Sequence, residues 1–134
     1  MTTNKLQVMV LDDERIVCER LRESLAEKGF AVETFTDSRQ ALDRLAAKRF
    51  DVVVTDLKMK GPTGLDMLHT LRETAPSTQV IIITGHATIE SAHEAEWGGV
   101  FDFITKPFKA KEFVSLVAKA ARKAERAHAR EVKA

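Results

Sequence analysis

The sequence has little cysteine, proline and glycine, and it has no long apolar run. Its 134 residues include a single cysteine, Cys18, which excludes an intramolecular disulfide and a cysteine-based zinc cluster. There are only three prolines and six glycines, and no stretch has the composition of a linker between domains. No apolar run approaches the roughly 20 residues of a membrane span, and the first residues, MTTNK, lack the apolar stretch of a signal peptide. We therefore expect a cytoplasmic protein with no membrane partner.

An excess of charge of one sign is also missing. Lysine and arginine number 21 against 20 acidic residues, for a formal net charge of +1. This balance gives no overall reason to expect direct binding of nucleic acid. A chain of this length is the size of one domain and buries roughly 68% of its unfolded surface. We expect one core and no second folded domain.

Short apolar runs recur along the chain and predict the strands of a sheet. The runs lie at Leu6–Leu11, Ala31–Phe35, Asp51–Thr55, Gln79–Thr84 and Val100–Ile104. The first, third and fourth contain continuous apolar segments, which are typical of parallel strands covered on both faces. Residues Ala31–Phe35 alternate between apolar and polar, as an edge strand would.

Segments with helical periodicity follow each predicted strand. Gly29 closes the first helix, Asp37 and Gln40 resemble a capping box that opens the second, and Ala75-Pro76 ends the third. The fourth is predicted at about Thr88 to Trp97, and the last carries its apolar face from Phe113 to Ala124. Five β–α units in strict alternation predict an α/β fold with a parallel sheet between layers of helices.

Polar residues stand at the carboxyl ends of the predicted strands, where open α/β sheets bind ligands. They are Asp12-Asp13, Asp56, Thr84 and Lys106-Pro107. If the strand order is 2-1-3-4-5, the three aspartates converge on one crevice and repel one another unless a cation lies among them. Oxygen ligands without histidine or cysteine favour Mg²⁺ over Zn²⁺, and a lysine with a threonine hydroxyl suits a phosphoryl group.

Each of these residues taken alone has a simpler interpretation. Asp12 or Asp13 could be the N-cap of the following helix, and Asp56 a solvated turn residue. Thr84-Gly85 and Lys106-Pro107 could be ordinary strand-ending loops. The functional interpretation depends on all of them occurring together at one edge of the sheet.

The chain resembles the receiver domain of two-component response regulators. The resemblance covers about Lys5 to Ala121 and is carried by VMVLDDE, VVVTDLKM with Gly64 beyond it, IIITGHA and FDFITKPF. It implies a flavodoxin-like (βα)5 three-layer sandwich with a five-stranded parallel sheet of order 2-1-3-4-5. We accordingly predict a receiver domain at residues 1–121 and a helical C-terminal extension at 122–134, with no output domain.

The resemblance assigns a phosphoacceptor and a metal site. Asp56 matches the aspartate that accepts a phosphoryl group from a histidine kinase or a phosphotransfer protein. Asp12 and Asp13 match the acid pair that binds Mg²⁺ together with Asp56, and Mn²⁺ could substitute. The backbone carbonyl of Lys58 matches the usual further ligand.

The resemblance also assigns the residues that respond to phosphorylation. Thr84 matches the switch hydroxyl, Lys106 the lysine that pairs with the phosphate, and Phe103 the aromatic residue that reorients on activation. The bond between Lys106 and Pro107 is expected to be cis. Lys58 and His86 occupy positions that influence the lifetime of the phosphoryl group, although both could be plain exposed loop residues.

Three positions depart from the usual family pattern. Lys60 stands where a proline usually follows the phosphoacceptor by four residues, and Gly61-Pro62 comes next. Phe103 replaces the commoner tyrosine. Trp97-Gly98-Gly99 places an extra glycine at the end of the predicted fourth helix, where it weakens helix propensity.

The implied function is that of a signalling phosphoacceptor, and not of an enzyme acting on other substrates. Phosphorylation would alter the face formed by the fourth helix, fifth strand and fifth helix, which would contact a downstream output domain or protein, or a second copy of the chain. Residues 119–134 carry six basic and two acidic residues and should continue the last helix. They could be a signalling helix or a solvated extension.

Other functional classes remain open at this stage. One is a receiver-shaped interaction module that works without phosphate, which the intact acid pair, Thr84 and Lys106 argue against. A flavodoxin-like cofactor binder is disfavoured because Asp12-Asp13-Glu14 is a poor cradle for phosphate. A phosphatase of the haloacid dehalogenase type would need a DxD motif after the first strand, which DDE does not match.

Overall fold

The strands and helices alternate along the chain. The structure is a computed structural model, and it describes residues 5–57, 59–85 and 99–133. The elements up to β3 are β1 (Gln7–Leu11), α1 (Arg15–Glu27), β2 (Ala31–Phe35), α2 (Ser38–Ala47) and β3 (Val52–Asp56). The later ones are α3 (Gly64–Thr74), β4 (Gln79–Thr84), β5 (Asp102–Thr105) and a C-terminal helix (Ala110–Lys133). The predicted fourth helix, with Trp97, lies outside the described residues.

The five strands form one parallel sheet in the order β2-β1-β3-β4-β5. The predicted order is therefore confirmed, and the alternating segment Ala31–Phe35 does lie at an edge. β5 begins two residues later than predicted, at Asp102. The apolar run starts earlier because Val100 and Phe101 pack against the core before the strand begins.

Alternate residues of the central strands enter two separate cores, one on each face of the sheet. On one face, Val8, Val54 and Ile83 pack with residues of α1 and the C-terminal helix. On the other face, Met9 and Val53 pack with residues of α2 and α3. This arrangement confirms the three-layer sandwich and explains why the strands are apolar on both sides.

The helix ends agree in part with the predicted capping residues. The Asp37 carboxylate accepts hydrogen bonds from the backbone amides of Arg39 and Gln40, which is the aspartate's half of the predicted box. The complete capping box lies instead at the start of α3, between Thr63 and Asp66. The sequence analysis does not predict a capping box at that position. Its usual sequence signal is present, because Thr63 is followed three residues later by Asp66 and an apolar run begins there.

The C-terminal helix runs without interruption across the predicted domain boundary at residue 121. Ala120, Ala121 and Ala124 are buried, whereas Val132 is 70% exposed. No helix among the described residues has both the length and the hydropathy to cross a bilayer.

Candidate functional site

Three aspartates meet at the carboxyl edge of the sheet. β1 and β3 are neighbours in the sheet, and Leu11 is in register with Thr55, so the residues that follow them lie side by side. One carboxylate oxygen from each of Asp12, Asp13 and Asp56 lies within 4.8 Å of the others. Three oxygen donors at this separation fit a hard divalent cation such as Mg²⁺.

The three carboxylates differ in their exposure. Asp12 is fully buried, the side chain of Asp56 is 18% exposed, and Asp13 is exposed. The site therefore has one side held within the protein and one open to solvent, which leaves room for ligands from outside the chain.

Hydrogen bonds hold the buried carboxylate of Asp12 in place. Its Oδ1 accepts from the backbone amide of Glu14 at 2.9 Å, and its Oδ2 accepts from Lys106 Nζ at 3.0 Å. Glu14, and neither aspartate, is the N-cap residue of α1, and its side chain makes no capping bond. The simple N-cap interpretation of Asp12 and Asp13 is therefore wrong.

Lys106 connects β5 with both β1 and β3. Its Nζ lies 3.0 Å from Asp12 Oδ2 and 3.6 Å from Asp56 Oδ2, and its side chain is 27% exposed. Burial alone would lower the pKa of Lys106, but the hydrogen bond to Asp12 and the attraction of both carboxylates outweigh burial and raise it. The lysine is thus held as a cation beside the carboxylates.

The backbone around Lys106 is fixed by β4. The Lys106 amide donates to the carbonyl oxygen of Thr84 at 2.8 Å, and the Lys106–Pro107 peptide bond is cis. Thr84 is the last residue of β4, is buried, and is in register with Thr105. Phe103 lies on β5, partly buried against the α2–α3 side of the sheet. Lys58 and His86 lie outside the described residues.

Two residues that were given no role in the site lie close to it. Gly64, the first residue of α3, packs directly against the end of β3 that carries Asp56. Ser38, the first residue of α2, is buried and donates a hydrogen bond to the carbonyl oxygen of Lys60. Gly64 could have been selected from its place in the motif, whereas nothing local in the sequence marks Ser38.

Comparison with known proteins gives one consistent family. Residues 8–118 match the family described as "Response regulator receiver domain". The chain is 36% identical over 113 residues to the DNA-binding transcriptional regulator NtrC of Escherichia coli (strain K12), a match that covers 84% of the chain and 24% of that protein. It is 37% identical over 115 residues to the C4-dicarboxylate transport transcriptional regulatory protein DctD of Pseudomonas aeruginosa, with 85% and 25% covered. The chain thus spans about a quarter of the length of these relatives.

Solved structures agree with the sequence comparisons. A response regulator receiver domain protein from Clostridium thermocellum superposes with a TM-score of 0.82 at 29% identity, covering 90% of this chain and 97% of that one. The beryllofluoride-activated NtrC4 receiver domain dimer gives a TM-score of 0.83 at 30% identity, with 88% and 98% covered.

Proposed function

The chain belongs to the family of response regulator receiver domains, and we propose that Asp56 accepts a phosphoryl group in a reaction that requires a divalent cation. The observation that carries the proposal is the convergence of Asp12, Asp13 and Asp56 within 4.8 Å, with Lys106 beside two of them. Residues separated by dozens of positions in the sequence thereby supply a nucleophile, a metal-binding set and a cation in one place.

The chemistry is a nucleophilic displacement at phosphorus. A carboxylate oxygen of Asp56 attacks the phosphorus of a phosphohistidine, the P–N bond breaks, and its electron pair stays on the imidazole nitrogen. An acyl phosphate forms on Asp56. Lys106 offsets negative charge on the phosphoryl oxygens, and the ends of β1 and β3 hold the reacting groups in position.

The metal would be held by the chain's own oxygen atoms. Asp12, Asp13 and Asp56 would be its ligands, and the resemblance adds the backbone carbonyl of Lys58. When bound, Mg²⁺, or Mn²⁺ in its place, would neutralise charge on the phosphoryl oxygens. Lys106 Nζ orients the Asp12 carboxylate by donating a hydrogen bond to its Oδ2.

Phosphorylation would switch the chain through the neighbouring strand ends. It adds a charge of about −1.5 to −2 at Asp56, and the hydroxyl of Thr84 at the end of β4 would turn towards it. Phe103 would then move, which alters the face formed by the predicted fourth helix, β5 and the C-terminal helix. Lys58 and His86 would set the lifetime of the phosphoryl group by controlling access of water.

The partners follow from the family and from the names of the relatives. A sensor histidine kinase or a phosphotransfer protein would supply the phosphoryl group, and an output domain or protein would receive the signal. NtrC is named as DNA-binding and NtrC4 as a dimer of receiver domains. We propose that these 134 residues, whose basic and acidic residues nearly balance, do not themselves contact DNA. We also propose that homodimerisation uses the face formed by the predicted fourth helix, β5 and the C-terminal helix.

The test is the formation of a covalent adduct. The chain is incubated with acetyl phosphate and Mg²⁺ and followed by intact mass, and beryllofluoride binding is followed by the fluorescence of Trp97. We expect an adduct with wild type that requires Mg²⁺ and is lost in Asp56→Asn. Asp43→Asn, which changes an exposed acid of α2, is the matched control and should retain the adduct. The absence of an adduct on wild type, or an equal one on Asp56→Asn, would contradict the proposal.

A further inference from the structure

The segment that follows Asp56 is joined to α2 by a hydrogen bond from the buried hydroxyl of Ser38. We call residues 57–63 the acceptor loop, of which the structure describes residues 57 and 59–63. The Ser38 hydroxyl donates to the Lys60 carbonyl oxygen at 2.9 Å, and Ser38 is 1% exposed. Lys60 stands where the family usually has a proline, so position 60 lacks the restriction that a proline ring would place on its backbone, although Pro62 follows two residues later.

The residue after Lys60 packs against the same end of α2. Gly61 has φ +76°, a conformation that residues with a Cβ rarely adopt. A Cβ built on Gly61 would lie 3.5 Å from Ser38 Oγ and 3.8 Å from Arg39 Nε. Lys60 is therefore bonded to the Ser38 hydroxyl, and a side chain added at Gly61 would contact the same hydroxyl.

This contact joins the two walls of a groove beside the candidate cation site. The groove has a volume of about 470 Å³. One wall comes from the start of α2 and the other from the acceptor loop, and Asp13 faces the space between them; the lining residues are Asp13, Thr36, Asp37, Arg39, Met59, Lys60 and Gly61. The Ser38–Lys60 bond therefore connects the two walls of a groove that Asp13 also lines.

We propose that Ser38 is a positioning residue for the cation and phosphoryl site, acting through the backbone of the acceptor loop. The proposal rests on the proposed function, because it assigns Ser38 a part in arranging that site. A hydrogen bond from a buried hydroxyl restricts the loop at the position where a proline would otherwise do so. Supporting groups behind the ligands of a metal commonly change its affinity when they are removed.

The first test compares Ser38→Ala with Thr78→Val. Thr78 also donates from a buried hydroxyl to a distant backbone carbonyl, that of Phe50 at 2.6 Å, but it lies at the opposite, amino-terminal edge of the sheet. Mg²⁺ affinity is measured by titration of amide NMR shifts at Asp13 and Asp56, and stability by thermal unfolding. We expect both variants to lose stability and only Ser38→Ala to lose Mg²⁺ affinity, by about tenfold.

The second test leaves Ser38 intact and disturbs its partner. Gly61→Ala places a methyl group against Ser38 at a positive φ, and Gly29→Ala introduces a methyl at φ +91° where nothing lies within 4 Å. Both should cost stability because alanine is strained at positive φ, and Gly61→Ala alone should weaken Mg²⁺ binding. If Ser38→Ala does not fold, the comparison of Gly61→Ala with Gly29→Ala tests the role of Ser38 instead.

The outcomes separate this proposal from the proposed function. Wild-type affinity for Mg²⁺ in a folded Ser38→Ala protein, or in Gly61→Ala where Ser38→Ala does not fold, would overturn the role of Ser38. An equal loss of affinity in Thr78→Val would also overturn it, because the effect would then follow general stability. A wild-type chain that binds no Mg²⁺ would instead contradict the proposed function itself.

Discussion

Gly64 approaches Asp56 so closely that no side chain fits between them. A Cβ added to Gly64 would lie 2.6 Å from the carbonyl oxygen of Asp56 and 3.2 Å from the Cα of Leu57. The Gly64 amide donates to the Leu57 carbonyl oxygen at 3.1 Å, which brings the first turn of α3 against the end of β3. The backbone that carries Asp56 is therefore supported directly by α3.

Gly64→Ala should destabilise the protein although alanine is the better helix former. Propensity alone would favour alanine by about 1 kcal/mol inside a helix. The contact with the rigid backbone of Asp56 reverses this, and we expect a net loss of about 1–3 kcal/mol together with slower phosphorylation of Asp56. Urea unfolding measures the first effect. Thr70→Ala, at an exposed position of α3, is the control and should change stability by at most about 0.5 kcal/mol.

The pattern of apolar residues predicted an α/β fold with a parallel sheet between helices, whereas the strand order 2-1-3-4-5 followed from the resemblance to receiver domains. Continuous apolar runs in β1, β3 and β4 reflect strands with a core on each face, and strict alternation with helices leaves few topologies. The ends of elements were predicted less well. β5 begins at Asp102, later than predicted, although the Phe101 amide already donates to the Val80 carbonyl oxygen and Phe101 packs against the core.

The sequence predicts which site residues lie together at the ends of adjacent strands. It does not predict the individual contacts between their side chains. Adjacent strands bring Asp12 and Asp56 together whatever the details of packing. The preference of Lys106 for Asp12 over Asp56 depends on differences below 1 Å and has no sequence signal. The Ser38–Lys60 bond joins residues 22 positions apart, and a serine at a helix start does not reveal a distant partner.

Removal of the Lys106 cation should make the stability of the protein depend more strongly on Mg²⁺ than it does in wild type. In Lys106→Met the fully buried Asp12 carboxylate loses its closest charged partner. We expect a loss of about 2 kcal/mol without metal, because a buried charge is left uncompensated, and a larger gain on adding Mg²⁺ than wild type shows. Thermal unfolding with and without Mg²⁺ measures both, and Lys111→Met, at an exposed position, is the control. The same response to Mg²⁺ in Lys106→Met and wild type would contradict this account.

The ion pairs of Glu33 should make stability fall in acid. Arg44 and Lys48 both bind the Glu33 carboxylate at 2.8 Å, and the hydrogen bond from Arg44 is the main cause that lowers the pKa of Glu33 from 4.5 to about 2. A carboxylate with a lowered pKa stabilises the folded state above its unfolded pKa of 4.5, and this contribution is lost as the pH falls towards 2.

Glu33→Gln tests this dependence. We expect it to cost about 1 kcal/mol near neutral pH, since the carboxylate is 30% exposed and solvent screens it. The cost should shrink as the pH is lowered through the acid range, because protonation removes the same charge from wild type. Urea unfolding at a series of pH values measures the difference. A difference in stability between Glu33→Gln and wild type that is the same at all pH values would show that the charge of Glu33 is not responsible. Glu73→Gln is the control, because it removes the charge of an exposed acid.

The C-terminal helix should contribute to stability beyond the predicted boundary at residue 121. Ala124 is fully buried, and Lys123 Nζ lies 5.7 Å from the centre of the Phe101 ring. A chain that ends at Ala121 loses both contacts, and we expect it to lose about 1 kcal/mol. A chain that ends at Arg126 keeps both and should unfold at the wild-type temperature.

Point variants distinguish burial from helix length in this segment. Ala124→Gln forces a polar side chain into a fully buried position, whereas Ala129→Gln makes the same change at an exposed position of the same helix. Only the first should lower the thermal unfolding temperature, by several degrees for a domain of this size. If the chain ending at Ala121 and Ala124→Gln both retain wild-type stability, the receiver domain ends at residue 121, where the resemblance to the family placed its boundary. If both lose stability, the helix up to Ala124 belongs to the folded core, and only the exposed remainder is free to act as a signalling extension.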